Sequence, residues 1–343
     1  MIRISDIIKM SGNKQEPKNE SKPLVREPQK QSIADIAKCA QNCRIESSNL
    51  YNRGVSLIGE ALGRVVKDEV ITSAPILNFS KNLVEALLID EDEYFSQFYN
   101  SPPASDYLPY HSLNVSFLAI KIGIWSGLNK SELMELAISG FLHDLGMAKV
   151  GCIVLKETTL ENDERQLVEQ HPDYSVQILK KMGCLSEGGL LAVKTHHYRG
   201  PRDKFSEILS LADIYEAITH SRLYRKAKAP HQAIGEIIDK EALSFQPSVL
   251  KAFVNNIGIY PVGSWVKLST GEIGLVTGMN KGYPLRPKIN IIFNHMGERL
   301  TCAKVLDFMS ETYFYIEGPL DITDLEKLKL TWEEKNKNTS NLN

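Results

Sequence analysis

From Ser32 to about Leu88 the apolar positions recur at three- and four-residue spacing, with Ile33, Ile36, Ala37 and Ala40 early and Leu57, Ile58, Ala61, Leu62 and Val65 later. That period marks one face of an α-helix, so the stretch reads as amphipathic helices. Helical patterning continues to about residue 257, with breaks at SPPASD (101–106), KETTLENDE (156–164) and CLSEGG (184–189). Asn129 or Ser131 is the expected N-cap of the helix that runs to Phe141 and Leu142. After Gly258 the texture changes. YPVGSWVKLSTGEIGLVTGMNKGYPLRPKINIIF and the residues beyond it alternate short β-prone runs with Gly, Pro and Asn turn signals, which predicts a small five-stranded β domain over 259–318. Residues 11–31 carry three prolines and almost no apolar periodicity and read as a flexible linker.

Composition narrows the class without naming it. The chain has 343 residues, 43% apolar and 24% charged, with 40 Lys+Arg against 42 Asp+Glu. At roughly 150 residues per domain, that length predicts about two domains with a sizeable core. A net charge of −2 gives no general basic face, so neither a nucleic-acid polymer nor an anionic membrane is an expected partner. Five scattered cysteines, with no CxxC pair, predict a reduced, cytoplasmic setting. The start, MIRISDIIKM, lacks the apolar run of a signal peptide, and Lys121 interrupts the apolar stretch at 117–124.

Candidate chemistry lies in the histidines. His111 sits early in an apolar helix, His143 and Asp144 end another, His171 precedes Pro172 at a helix start, and His196 and His197 are adjacent. Taken singly, a histidine at a helix end is ordinarily a capping or core residue. Asp213 is harder to dismiss, because it lies in SEILSLADIYEAI, where a carboxylate is costly to bury unless paired, hydrogen-bonded or metal-bound. Imidazole and carboxylate together suit Fe, Mn, Zn or Ni. Two such ions need a bridging anion, for which Asp144 is the natural candidate. A bridged pair acidifies a shared water to hydroxide and clamps a phosphoryl oxygen, which is the chemistry of phosphate-ester hydrolysis.

In this order, HSLNV, HDLGMAKV, HPDYSVQIL, THHYRG and ADIYEAITHSRLYRKAKAPHQAI resemble the motifs of the HD-GYP family, a branch of the HD-domain metal-dependent phosphohydrolases, over residues 105–240. The segment YPVGSWVKLSTGEIGLV also resembles a small β extension that follows some of these domains. The resemblance implies a mainly α fold: an HD-domain helical bundle, preceded by amphipathic helices and followed by an SH3-like β barrel. It implies that His111, His143, Asp144, His171, His196, His197 and Asp213 bind two divalent transition-metal ions, with Asp144 bridging. It also implies that Arg222 and Arg225 grip substrate phosphates, a role that guanidinium forks suit. The implied activity is hydrolysis of a cyclic dinucleotide, above all cyclic di-GMP, by hydroxide bound between the two metals.

Three features depart from the family. The Gly-Tyr-Pro loop that names it is absent, and only fifteen residues separate His197 from Asp213, a shorter interval than in the family. Met147 stands after HDxG where many relatives carry a lysine; Lys149, two positions on, is the available substitute for phosphate contact. Tyr107 occupies the position where some relatives place a glutamate for a third metal, so two ions are expected. These departures keep two alternatives open: a catalytically attenuated signalling or binding module, and a phosphatase acting on mononucleotides. A homodimer or a signalling-protein partner also stays open.

The remaining candidates are plainer. Cys39 and Cys43 read as core, His220, His231 and His295 as surface or capping residues, and the Gly271, Gly274 and Gly278 run lacks the helix a phosphate loop needs. Lys267, Lys281, Arg286, Lys288, Arg299 and Lys304 interleave with Glu272, Glu298 and Asp307 and read as a solvated surface. The expected organisation is a disordered segment (1–31), a helical region (32–104), the HD-like domain (105–258), the β domain (259–318) and a polar tail (319–343).

Overall fold

The computed structural model describes residues 33–89, 98, 107–151, 161–221, 225–311 and 313–320, without the side chains of 33–45 and of Ala303. The linker, the SPPASD break, most of the KETTLENDE loop, Arg222, the tail beyond 320 and the side chains of Cys39 and Cys43 lie outside the described residues.

The helices are α1 (Ile33–Val66), α2 (Ser73–Ile89), α3 (Tyr107–Trp125), α4 (Lys130–Leu142), the single turn α5 (Met147–Val150), α6 (Asn162–Glu169), α7 (His171–Met182), α8 (Glu187–Thr195), α9 (Lys204–Thr219), α10 (Pro230–Glu236) and α11 (Pro247–Ile257). Their ends follow local chemistry. Asn129, not Ser131, caps α4: its side chain accepts from the Ser131 and Glu132 amides while Glu132 reaches back to the Asn129 amide. Gly183, left-handed at φ 61°, ends α7, and Ser186 caps α8, so the break is 183–186 and the paired glycines 188 and 189 belong to α8. Asp203 caps α9 through the Phe205 and Ser206 amides. None of the described helices is long and apolar enough to cross a membrane.

Helix α3 is buried at every position from His111 to Gly123, as expected of a helix apolar on all sides. It is the axis of the main core, with Phe79, Phe141, Tyr215 and Phe253 packed around it from α2, α4, α9 and α11. Two glycines set the spacing on which the site depends. A Cβ on Gly140 would lie 2.8 Å from the Ser116 Cα, so α3 and α4 touch backbone to backbone, and Ser116 Oγ donates to the Ala137 carbonyl at 2.8 Å. A Cβ on Gly146 would lie 2.7 Å from the Ser175 amide nitrogen, and the Gly146 amide donates to Ser175 Oγ at 2.8 Å. That contact seats the turn after His143-Asp144 directly on the start of α7.

The β domain comprises β1 (Trp265–Leu268), β2 (Ile273–Gly278), β3 (Lys288–Phe293), β4 (Arg299–Asp307) and β5 (Ile316–Pro319) in one antiparallel sheet of order β4-β3-β2-β1-β5. Alternate residues Ile289, Ile291 and Phe293 of β3 are buried, and with Val266, Leu268, Val276 and Leu306 they make a second, smaller core.

Candidate metal centre

Five helical segments bring the seven sequence-predicted residues to one point. His111 comes from α3, His143 and Asp144 from the end of α4, His171 from the start of α7, His196 and His197 from the end of α8, and Asp213 from the middle of α9. Asp144 Oδ1 lies 3.1 Å from His171 Nε2, 3.4 Å from His143 Nε2 and 3.9 Å from His196 Nε2, while its Oδ2 lies 3.4 Å from His111 Nε2. Asp213 spans similarly, with Oδ1 at 3.3 Å from His111 Nε2 and Oδ2 at 3.6 Å from His197 Nδ1. Two groups of candidate ligands result: His111 with His143 and Asp144, and His171 with His196 and His197.

The rings are aimed by hydrogen bonds on their far sides. His143, His171 and His196 each direct Nδ1 at the backbone carbonyl three residues earlier, Gly140 at 2.8 Å, Val168 at 2.6 Å and Val193 at 2.6 Å. A carbonyl oxygen can only accept, so each Nδ1 carries a proton and each Nε2 points inward. The Nε2 atoms of His171 and His196 then face each other at 3.4 Å, which two lone pairs tolerate only with a proton or a metal ion between them. His143 Nε2 and Asp144 Oδ1 are buried and complete no hydrogen bond among the described residues. Orphaned buried atoms of this kind fit a cation.

The electrostatics agree. Asp144 and Asp213 are each 7% exposed. Burial alone would raise both carboxyls, yet the surrounding imidazoles outweigh it and hold both well below the usual carboxylate range, so both are ionised. Burial pushes His143 and His196 down, keeping them neutral, whereas Asp144 overcomes burial at His171 and pulls it up. A metal displaces such a proton on binding. His197 differs from the others, its side chain being 51% exposed, and it marks the open edge of the cluster.

Of the expected phosphate-binding residues, Lys149 and Arg225 are among those described, and each has its own partner. Lys149, on α5, pairs with Asp68 just past α1, and both line a cavity of about 570 Å³ with residues of α7. Arg225 donates from Nη2 to the Ala217 carbonyl near the end of α9. Met147 is buried, and the ring of Tyr107 lies 6.4 Å from that of His111.

Sequence reasoning missed Glu216 and left His220 as a surface or capping residue. Glu216 is buried on α9 one turn after Asp213, and its Oε2 accepts from His111 Nδ1 at 2.5 Å. The cost that marks Asp213, a carboxylate on an apolar helix, marks Glu216 equally. His220 does cap α9, its amide donating to the Glu216 carbonyl, but it is buried there rather than at the surface, with Nε2 2.7 Å from the Phe98 carbonyl and Nδ1 3.4 Å from Glu216 Oε1.

Residues 109–218 match the HD domain family, and residues 265–328 match the family described as KOW domain associated with HD domain. The chain is 31% identical over 206 residues to the cyclic di-GMP phosphodiesterase PA4108 of Pseudomonas aeruginosa, covering 56% of this chain and 49% of that protein. It is 26% identical over 161 residues to a cyclic di-GMP phosphodiesterase of Thermotoga maritima, covering 42% and 43%. The chain thus spans about half the length, or less, of these curated relatives. Among solved structures, the HDG"Y"P protein Bd1817 from Bdellovibrio bacteriovorus superposes with a TM-score of 0.48 at 10% identity, over 73% of this chain and 76% of that one.

Proposed function

From an HD domain followed by an HD-associated KOW domain, we propose a metal-dependent phosphodiesterase of the HD-GYP type that hydrolyses a cyclic dinucleotide, cyclic di-GMP foremost, in the cytoplasm. The observation that carries this reading is the convergence of His171 Nε2 and His196 Nε2, 3.4 Å apart, beside the buried, ionised Asp144. His111, His143, Asp144 and Asp213 would hold one divalent transition-metal ion, and His171, His196 and His197 the other, with Asp144 shared. Ions at such a site acidify water and draw charge from phosphoryl oxygens.

The chain supplies placement. Nδ1 bonds to backbone carbonyls fix three rings before any ligand arrives, and the exposed edge at His197 gives the substrate its side of approach. Arg225, anchored at the Ala217 carbonyl, is assigned with Arg222 to the substrate phosphates. The geometry lends Lys149 no such support, because its ammonium is engaged by Asp68.

The test uses the full chain purified with Mn or Fe and assayed on cyclic di-GMP, cyclic GMP-AMP and a generic aryl phosphodiester. Cleavage of a cyclic dinucleotide is expected. Cleavage of the generic ester alone would overturn the substrate and leave the site, and protein that takes up no metal would overturn both. A second reading, a binding module with attenuated catalysis, is favoured by the fifteen-residue interval between His197 and Asp213 and by the engaged Lys149. Hydrolysis that disappears in Asp144→Ala eliminates it.

A further inference from the structure

The four buried histidines of the cluster are not held alike. His143, His171 and His196 are backed by neutral backbone carbonyls, whereas His111 is backed by the Glu216 carboxylate at 2.5 Å. A carboxylate behind an imidazole makes the ring a stronger donor at its other nitrogen than a carbonyl does, because its charge stabilises the proton left on Nδ1.

Glu216 is itself held. Its Oε1 lies 3.4 Å from Asn114 Nδ2, and Asn114 Oδ1 accepts from Tyr51 Oη at 2.7 Å. Asn114 follows His111 by three residues on α3, and Glu216 follows Asp213 by three on α9. Residues three apart stand on one helix face, so each helix presents one cluster residue and, a turn later, one member of the supporting chain. Tyr51 extends that chain into α1; burial and then the Glu216 charge raise its phenol, which keeps it a donor.

We infer that Glu216 is a positioning residue that makes the two metal positions unequal, the ion held by His111 and His143 binding more tightly than the ion held by His171, His196 and His197. The inference rests on the metal reading above. It adds an order of loading, with the His111 position filling first, and it assigns the supporting chain Tyr51–Asn114–Glu216 to that position alone.

The test is a titration of the metal-free full chain with Co²⁺ alone, read by calorimetry and by the visible absorption of bound cobalt. Two resolved steps of one equivalent each are expected. Glu216→Gln keeps the shape and one acceptor but loses the charge, and it weakens the tighter step by about 10- to 100-fold while leaving the other unchanged. His171→Ala removes the weaker step and spares the tighter. Tyr51→Phe, which deletes one hydroxyl, weakens the tighter step by less than Glu216→Gln does. Should Glu216→Gln fail to fold, Glu216→Asp reads the same step, because it keeps the charge but withdraws it from the ring. A single two-equivalent step in the unmodified chain, or Glu216 variants that leave both steps unaltered or weaken only the second, overturns the inference. Absence of any Co²⁺ binding overturns the metal reading itself.

Discussion

The helical body and the β domain handle charge in opposite ways. In the β domain Lys267 meets Glu317 at 2.9 Å and Lys304 meets Glu272 at 3.3 Å, and both lysines stand about half in water. Each charge there has an opposite one close by and solvent to finish its hydration, so the pairs contribute little. In the helical body Asp144 and Asp213 are buried within one cluster, and among the described residues their ion-pair partners are histidines. The residue types hardly differ between the two regions. What separates the two regions is how far their charges are buried.

Substitutions can break that contrast, beginning where the effect is greatest. Asp144→Ala removes the carboxylate that reaches both ligand groups, and it is expected to abolish metal uptake and lower hydrolysis by on the order of 10³-fold, measured by elemental analysis and by assay. Gly146→Ala drives a methyl into the start of α7. It is expected to cost about 1–3 kcal/mol in a thermal or urea melt and to separate Asp144 from His171, so metal content falls with stability.

Metal itself sharpens the contrast further. At a hundred times its dissociation constant, an ion that binds only the folded chain stabilises it by about 2.7 kcal/mol. Adding Mn²⁺ should therefore raise the melting transition of the helical body, a chelator should reverse the shift, and Asp144→Ala should not respond. The smallest effects belong to exposed pairs: Lys149→Ala and Lys304→Ala should each change stability by less than about 1 kcal/mol. If Lys149→Ala instead lowers hydrolysis tenfold, Lys149 leaves Asp68 to meet the substrate.

The chain order of His111, His143-Asp144, His171, His196-His197 and Asp213 made the cluster legible before any coordinates, because short motifs on successive helices survive as a pattern in one dimension. The β domain was legible for the same reason, its turn residues punctuating apolar runs. Contacts between distant segments were not. Glu216 supports His111 from 105 residues away, and nothing local to either residue announces the other. His220 read as a surface or capping residue; the cap is local, but its contact with Phe98, 122 residues earlier, is not. The close approaches that Gly140 and Gly146 admit, at Ser116 and Ser175, are likewise contacts between separate helices.

The bonds from three rings to carbonyls three residues back have a consequence for the field at the centre. Gly140, Val168 and Val193 all lie in the last turns of α4, α6 and α8, so three helices point their carboxyl ends at the cluster. A helix carries roughly half a negative charge at that end. Together with Asp144, Asp213 and Glu216 these ends build a strongly negative well, which attracts divalent cations and repels a phosphodiester. On the function proposed above, an anionic substrate would gain entry only after metal had reversed the sign of the site.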